Sequence, residues 1–521
     1  MGACPLPVKS GGRPTTMPGT GARSLGELVR ALSGVREAPA GMEVRVRGVT
    51  HDSRTLNRGE IFVAVEGAER DGAEYIREAA ERGAAAVVTE KAVPDAGVPV
   101  VRVRDTRIAI AELAAEWHHR PAASLSLTAI TGSLGKTSVL SMLAAILEAA
   151  GIRAGVIGSL GVHCGDLYER TPLTTPEPLA LHAALEAFVA RGAEIGAMEV
   201  TSHALEQRRV HGLCFDLLVF TNLVLLEHLD YHGSFRRYVE AKAKIFEHLA
   251  PGAPVVYPAG DRVVRALLRA RDVTPIACGT GGCVTARVDR PTVAPWGTRL
   301  QLTVRKPIPR RGGGWVDPTV IPIRLRLLGR RNLGNAALAA VAGLALGAGP
   351  EAVRSALEAL PPPRRRLEII HRGKFTVLDD TVGHPDSISV LFDVVRRLRY
   401  RSLHLVYGVR GRRGPEINRR DAEALAIWTR TVRPESVIVT SSEERVDERN
   451  RVRGDEREAV LETLAHHGVR HEYRPRLADA VEAALARAGR GDMVIFMGAQ
   501  GMDASREIAL EWIHRNRDGS A

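Results

Sequence analysis

At 521 residues the chain is too long for one ordinary domain; at roughly 100–200 residues per domain, three is the central expectation. Apolar residues make up 45% and charged residues 25%, which excludes a disordered, collagen-like or membrane-spanning description of the whole chain. The 72 Lys and Arg exceed the 60 Asp and Glu by +12, a balance suited to nucleic acid, a membrane surface or phosphorylated small molecules, or simply spread over a large surface; aromatics at 4% weaken the case for base stacking.

The first 23 residues are rich in Gly and Pro, lack an apolar signal-peptide core and read as a disordered leader. Residues 24–38 carry helical spacing at Leu25, Leu28, Val29 and Leu32, and 43–49 alternate as a strand. Phe62–Ala64 and Ala84–Val88 read as strands around a helical run from Asp71 to Arg82. An α/β domain over 24–122 is expected.

A second domain over 123–360 opens with a strand at Leu125–Ile130, a glycine turn and a helix from Lys136 to Ala150. Further strands are predicted at Val156–Ile157, Ile195–Val200, Leu217–Thr221 and Pro254–Tyr257, with helices at Pro178–Arg191 and Phe235–Leu249 between them. Such alternation implies a largely parallel, covered sheet. Residues 284–328 alternate Val, Leu and Thr between Gly-rich turns and predict an antiparallel patch, closed by helices 333–347 and 350–359. Pro361-Pro362-Pro363 reads as a linker. A third α/β domain over 361–521 is expected from strands at Phe375–Leu378, Leu403–Tyr407, Ser436–Thr440 and Met493–Met497. Cys4, Cys164, Cys214, Cys278 and Cys283 form no paired zinc pattern, which favours a reducing compartment and a cytoplasmic protein.

Thr131-Gly132-Ser133-Leu134-Gly135-Lys136-Thr137-Ser138 carries the strongest chemistry. It follows an apolar strand and starts a helix. The glycines let backbone N–H groups converge on a polyphosphate, and the helix N-terminus adds partial positive charge. Lys136 can reach the terminal phosphates and the Thr137 hydroxyl can ligate Mg²⁺. Two residues separate the glycines, where the usual loop has four. The metal needs an acid, and Glu199 ends a predicted strand, where open α/β sheets place ligand groups; the bland alternative is a solvated strand-end carboxylate. In Glu227-His228-Leu229-Asp230-Tyr231-His232 the two histidines share a helical spacing. A third soft zinc ligand is missing, so a place for His228 beside a hard Mg²⁺ is the better reading. Lys242 follows ten residues later on an amphipathic helix, where a lysine is ordinarily solvated.

Taken together these segments resemble the Mur ligases, most closely the UDP-N-acetylmuramyl-tripeptide synthetases. The resemblance adds Asp52-Ser53-Arg54, Thr174-Thr175-Pro176-Glu177, Met198-Glu199-Val200-Thr201-Ser202-His203 with Gln207 and Arg209, Phe220-Thr221-Asn222-Leu223 and Tyr238-Val239-Glu240-Ala241-Lys242. It implies a three-domain α/β architecture: an N-terminal UDP-sugar domain, a central P-loop domain and a Rossmann-like C-terminal domain that brings the amino acid. It also implies an ATP-dependent ligase that adds an amino acid to a UDP-N-acetylmuramyl dipeptide through an acyl phosphate in peptidoglycan precursor synthesis.

Gly132, Ser133, Leu134, Gly135, Lys136, Thr137 and Ser138 would hold the triphosphate, with Asn332 and Asn335 near the adenine, Arg366 near the phosphates and Asp380 on the ribose. Ser53, Thr174, Thr175, Thr201, Gln207 and Arg209 would hold the UDP-sugar peptide. Thr137, Glu199, His228 and Lys242 would surround the metal, and Lys136, Glu199, Lys242 and His228 would be the catalytic set. Lys242 matches a lysine carried as a carbamate (N6-carboxylysine), so CO2 joins ATP and Mg²⁺ as an implied cofactor. A monomer without membrane or nucleic-acid partners is expected.

The third domain departs from the family pattern. Thr381-Val382-Gly383 follows Asp380 where Tyr-Ala-His is usual, and Gly408-Val409-Arg410-Gly411-Arg412-Arg413-Gly414 replaces a glycine- and aspartate-rich loop. Ser442-Glu443-Glu444-Arg445 stands where diaminopimelate-adding members have Asp-Asn-Pro-Arg, and Gly498-Ala499-Gln500-Gly501-Met502 stands for Gly-Lys-Gly-His-Glu. An amino acid other than diaminopimelate is expected. A different carboxylate acceptor in a specialised pathway, and a non-catalytic nucleotide-binding relative, stay open as alternatives.

Overall fold

The structure is a computed structural model that describes residues 21–39, 42–67, 71–93, 96–224, 229–269, 271–294, 297–327, 330–361, 364–448 and 450–517. The chain divides into two compact units. The first comprises Met1–Leu125, Thr175–Ala190 and His203–Leu213; the second comprises Ser126–Thr174, Arg191–Ser202 and Cys214–Ala521.

The first unit is built on a five-stranded sheet of β1 (Val35–Glu37), β2 (Gly48–Thr50), β3 (Glu60–Val63), β4 (Ala86–Thr89) and β5 (Val100–Val103), in the order β1-β5-β4-β3-β2. Helices α1 (Leu25–Arg30), α2 (Ile76–Glu81) and α3 (Thr106–Trp117) accompany it. The helix expected over 24–38 stops at Arg30, because Ser33 and Gly34 turn the chain and Val35 then pairs with Val103 as a strand. Its start is fixed by a capping box in which Ser24 and Glu27 exchange hydrogen bonds. Arg23, expected at the end of the leader, already belongs to the fold through its ion pair with Glu116 at 2.6 Å.

The second unit holds an eleven-stranded sheet. Its strands are β6 (Ser126–Thr131), β7 (Ala154–Gly158), β8 (Gly161–Cys164), β9 (Leu167–Glu169), β10 (Ile195–Glu199), β11 (Leu217–Phe220), β12 (Pro254–Pro258), β13 (Thr274–Gly279), β14 (Ala286–Ala294), β15 (Gly297–Val304) and β16 (Thr319–Leu325). They run in the order β9-β8-β7-β10-β6-β11-β12-β13-β14-β15-β16. The stretch from β7 to β14 is parallel, and β14, β15 and β16 form the antiparallel patch expected over 284–328. Central strands buried on both faces explain the continuous apolar runs.

Helix α4 (Lys136–Ala149) follows β6, and α5 (Phe235–Ala243) follows β11. The helix expected over 235–249 ends six residues early: Lys244–His248 winds as a 3₁₀ turn, and the His248 carbonyl accepts the Phe215 N–H at 2.7 Å instead of a helical donor. Helices α6 (Arg262–Leu268), α7 (Arg330–Ala345) and α8 (Pro350–Ala359) complete this part. Ala336, Ala337, Ala339, Ala340 and Ala342 of α7 are fully buried in one core with Val139, Leu143 and Ile146 of α4. Small side chains let the two helices approach closely. At Gly343 a Cβ would lie 2.5 Å from Ile146 Cγ2.

A third sheet is formed by β17 (Glu368–Arg372), β18 (Thr376–Asp380), β19 (Leu403–Gly408), β20 (Ser436–Thr440), β21 (Glu472–Tyr473) and β22 (Met493–Gly498), in the order β17-β18-β22-β19-β20-β21. All its pairings are parallel except β17 with β18. Helices α9 (Pro385–Val395), α10 (Pro415–Val432), α11 (Gly454–His466), α12 (Leu477–Arg487) and α13 (Ser505–Arg517) alternate with these strands. No helix among the described residues is long and apolar enough to cross a membrane.

Candidate active site

The glycine loop leaves β6 after Thr131 and enters α4 at Lys136. Gly132 and Gly135 have φ of 132° and 89°, backbone that side-chain-bearing residues rarely adopt. Space excludes side chains as well: a Cβ on Gly132 would collide with Thr221 Oγ1, and one on Gly135 would lie 2.7 Å from Asn335 Oδ1. Asn222, just beyond β11, moulds the loop. Its carbonyl accepts from Ser133 N at 2.9 Å, and its side chain accepts from Leu134 N at 3.0 Å and donates to Leu134 O at 2.8 Å. Ser133 Oγ meets Tyr238 Oη at 2.8 Å. Lys136 Nζ donates to the Gly132 and Ser133 carbonyls at 2.9 and 2.7 Å, so its charge lies over the loop. Helix α4 begins here, with first-turn N–H groups that have no acceptor within the helix.

Glu199 ends β10, and the register that pairs it with Ile130 of β6 carries it to this loop. It is fully buried. Oε2 accepts from Thr137 Oγ1 at 3.1 Å; Oε1 accepts from Ser159 N at 2.9 Å; Ser159 Oγ lies 3.4 Å from Oε2 and 3.1 Å from Thr174 Oγ1. Lys242, on α5, is 1% exposed. Its Nζ donates to Thr131 Oγ1 at 3.1 Å and to Val200 O at 3.5 Å, with the Tyr238 ring 5.9 Å away. Thr131 precedes Gly132 and Val200 follows Glu199, so the loop, the carboxylate and the buried lysine meet at the carboxyl ends of two adjacent strands.

The donor set fits a hard cation. A hydroxyl and a carboxylate oxygen face each other across 3.1 Å, all oxygen, beside a cradle that any Cβ would fill. No cluster of three His, Cys, Asp or Glu able to hold a metal occurs among the described residues. His228 lies outside them. His232 is buried and meets Ser202 Oγ at 2.9 Å through Nε2.

In the first unit Arg209 draws three predicted or neighbouring residues together. It donates to Thr175 O at 2.9 Å and to Gln207 Oε1 at 2.5 Å, and pairs with Glu177 at 3.0 Å. Ser53 is buried at the head of its own turn, capped by Asp52, which accepts from Arg54 N at 3.0 Å. The Arg54 side chain bonded to Asp52 holds that carboxyl below its ordinary range. Thr174 and the half-buried Thr201 belong to the second unit.

Asp380 ends β18, and its carboxylate accepts from Leu367 N at 2.8 Å. Burial pushes its pKa up to about 7 against the opposing pull of Arg366. The arginine run divides. Arg365 is buried and bonded to Asp379, Asp503 and the Gly498 and Ala499 carbonyls, whereas Arg366 is exposed and reaches Thr381 O at 3.4 Å. Asn335 is buried against Gly135, with Asn332 Oδ1 at 3.5 Å.

The altered loops of the third sheet are locally built. Glu456 accepts backbone N–H bonds from Arg412, Arg413, Gly414 and Arg453. Burial raises its pKa, but these four donors outweigh burial and leave it lowered. Glu444 caps α12 through Leu477 N and Ala478 N. Arg419 and Arg420 pair with Glu416 on the exposed face of α10, as a solvated basic surface does, while Arg410 is half-buried and bonded to Gly383 O.

Asn222, Ser159, Glu177 and Glu456 were not singled out as site residues from sequence. Asn222 and Glu177 lie inside motifs already quoted, which was the available signal. Ser159 reaches its partners only through tertiary contacts, and so does Glu456 except for its capping bond from Arg453 N.

A parallel sheet with a glycine cradle after one strand and a buried carboxylate ending the next defines a P-loop nucleotide-binding enzyme. Family models describe the rest: Mur ligase family catalytic domain over residues 45–118, Mur ligase middle domain over 130–343, and Mur ligase glutamate ligase domain over 365–500. The chain belongs to the Mur ligase family.

A UDP-N-acetylmuramyl-tripeptide synthetase of Roseiflexus is 33% identical over 469 residues, 87% of this chain and 89% of the relative. A UDP-N-acetylmuramoyl-L-alanyl-D-glutamate–2,6-diaminopimelate ligase of Geobacillus kaustophilus is 32% identical over 457 residues, 86% of this chain and 88% of the relative. A solved structure of such a diaminopimelate ligase superposes with a TM-score of 0.66 at 21% identity, covering 95% of this chain and 99% of that one. The MurF ligase of Thermotoga maritima, solved in complex with ADP, gives 0.59 at 18% identity over 91% and 99%. At these identities the solved structures establish the fold.

Proposed function

We propose that this chain is an ATP-dependent ligase that adds an amino acid to a UDP-N-acetylmuramyl dipeptide in peptidoglycan precursor synthesis. One observation carries the reading: Glu199 faces Thr137 of the phosphate loop at 3.1 Å while the buried Lys242 rests on the residues flanking both. Relatives of this length and identity supply the acceptor class.

In the reaction the acceptor carboxylate attacks the γ-phosphorus of ATP, forming a C–O–P bond as the bond to the bridging oxygen of ADP breaks. The amine of the incoming amino acid, deprotonated, then attacks the acyl carbon, and inorganic phosphate leaves as the amide forms. The first-turn amides of α4 and Lys136 stabilise charge on the transferring phosphoryl group. Thr137 and Glu199 would hold Mg²⁺, which when bound neutralises phosphate charge. Lys242, as its CO2 adduct, would add a further anionic oxygen at the strand ends. Arg366, Asp380, Asn332 and Asn335 would hold the nucleotide; Ser53, Thr174, Thr175, Thr201, Gln207 and Arg209 would hold the acceptor.

The incoming amino acid is proposed to differ from diaminopimelate. Ser442 and Glu443 replace the Asp-Asn of the diaminopimelate-adding pattern, and Glu444, in place of its proline, is committed to capping α12. Phosphate release measured over an amino-acid panel with the UDP-linked dipeptide tests both statements. ATP turnover is expected only with acceptor and one cognate amino acid together. Turnover independent of the acceptor counts against the ligase reading, and efficient diaminopimelate transfer counts against the specificity.

A further inference from the structure

The carboxylate that ends β10 is gripped from two sides, and only one side is the phosphate loop. On the other lies the turn Ser159–Leu160 between β7 and β8. This turn is shaped around the carboxylate: a Cβ on Gly158 would collide with Glu199 Oε1 and lie 2.8 Å from Leu140 Cδ2. Ser159 gives Glu199 its backbone N–H at 2.9 Å and its hydroxyl at 3.4 Å, and the same hydroxyl meets Thr174 Oγ1 at 3.1 Å. Thr137 occupies the opposite side at 3.1 Å. The result is a continuous chain, Thr137–Glu199–Ser159–Thr174, with an exposed serine as its one bridging hydroxyl.

A serine hydroxyl has one proton. When Thr174 donates to Ser159 Oγ, the Ser159 proton is left for Glu199, and each bond polarises the next. When Thr174 turns its hydroxyl to another acceptor, the grip on Glu199 loosens. We propose that Ser159 is a positioning residue that couples the Thr174 segment to the orientation of Glu199, so that acceptor binding alters the affinity for Mg²⁺-nucleotide, and the reverse. The inference rests on the ligase reading above, in which Glu199 faces the metal and Thr174 the acceptor. Linkage makes the coupling reciprocal.

The test is a calorimetric titration of a non-hydrolysable ATP analogue with Mg²⁺ into the full chain, with and without UDP-N-acetylmuramyl dipeptide. In the wild type the two dissociation constants should differ by about fivefold or more. Ser159→Ala should bring their ratio close to one with thermal unfolding unchanged, Ser159→Gly should do the same, and Ser159→Thr, which keeps a hydroxyl, should retain the wild-type ratio. Without acceptor, Thr174→Val and Ser159→Ala should move the Mg²⁺ dependence of analogue binding in the same direction, and the double variant should add nothing. A wild-type ratio in Ser159→Ala, or strict additivity, overturns the coupling. A wild type that binds both ligands with a ratio of one overturns it too, leaving the ligase reading intact. A wild type that binds neither ligand overturns the ligase reading itself.

Discussion

The Lys242 amine lies against Thr131, Val200 and the Tyr238 ring, with 1% of the residue exposed. In the proposed reaction it is carried as a carbamate: the neutral amine would add CO2, lose a proton and become an anion able to share a cation with Glu199. Activity is therefore expected to fall in CO2-depleted buffer and to return with bicarbonate, and ¹³CO2 should give a carbamate carbon resonance absent from Lys242→Ala. Lys242→Arg, which keeps the charge but accepts no CO2, should lose about 100-fold or more in kcat. A fully active Lys242→Arg enzyme would refute the carbamate. Lys136 is a different case. Its ammonium lies on the Gly132 and Ser133 carbonyls, bonds it can exchange for phosphate oxygens. Lys136→Ala should cost about 10²–10³-fold in kcat with smaller changes in acceptor affinity, measured by steady-state kinetics and acceptor titration.

Among the elements, α4 and α7 show what helix contact demands. Gly343 sits in the last turn of α7, where Ala would ordinarily stabilise by up to about 1 kcal/mol. Here the added Cβ meets Ile146 Cγ2 at 2.5 Å, and overpacking of a filled core costs about 1–3 kcal/mol. Gly343→Ala should thus lower the urea midpoint, and Ile146→Leu, which removes that methyl, should recover part of the loss in the double variant; a stabilised single variant would refute the contact. The same elements show what a reader of the sequence could see. Strand periodicity found β6, β10, β11 and, in the third sheet, β18, β19, β20 and β22, because buried parallel strands are continuous in Val, Ile and Leu; the edge strands β17 and β21 carry no such run and were missed. The loop chemistry of Gly132, Lys136 and Thr137 was legible since its residue types are local. Glu199 needed its strand end. Ser159 was invisible because its role depends on β7 lying beside β10, a pairing that no local pattern encodes. The shortened helix after Phe235 was misread because its end is set by a hydrogen bond from Phe215, over thirty residues earlier.

At the scale of the whole molecule, the +12 charge and the acidic interior act on stability through pH. Of the acidic residues buried in and around the third sheet, three are held toward the protonated form. Burial pushes Asp379 up to about 6 and Asp380 and Asp421 up to about 7, in each case against neighbouring arginines. Arg365 and Ser505 bond Asp379, and Leu367 N bonds Asp380, but among the described residues neither oxygen of Asp421 has a hydrogen-bond partner, and the buried Tyr407 hydroxyl lacks one too. A raised native pKa means the folded chain keeps a proton that the unfolded chain releases near pH 4. The stability contributed by Asp421 is then fully present below about pH 4 and is lost as pH rises through about 7. The span from 3.8 to about 7 bounds this loss at roughly 4 kcal/mol. Asp421→Asn removes the titration while keeping the shape. Urea unfolding should therefore show the variant gaining on the wild type at pH 8 by about 1–4 kcal/mol and by far less at pH 5, with a flatter pH dependence between. An equal shift at both pH values would mean that Asp421 is ionised throughout, held by a partner that burial alone does not reveal.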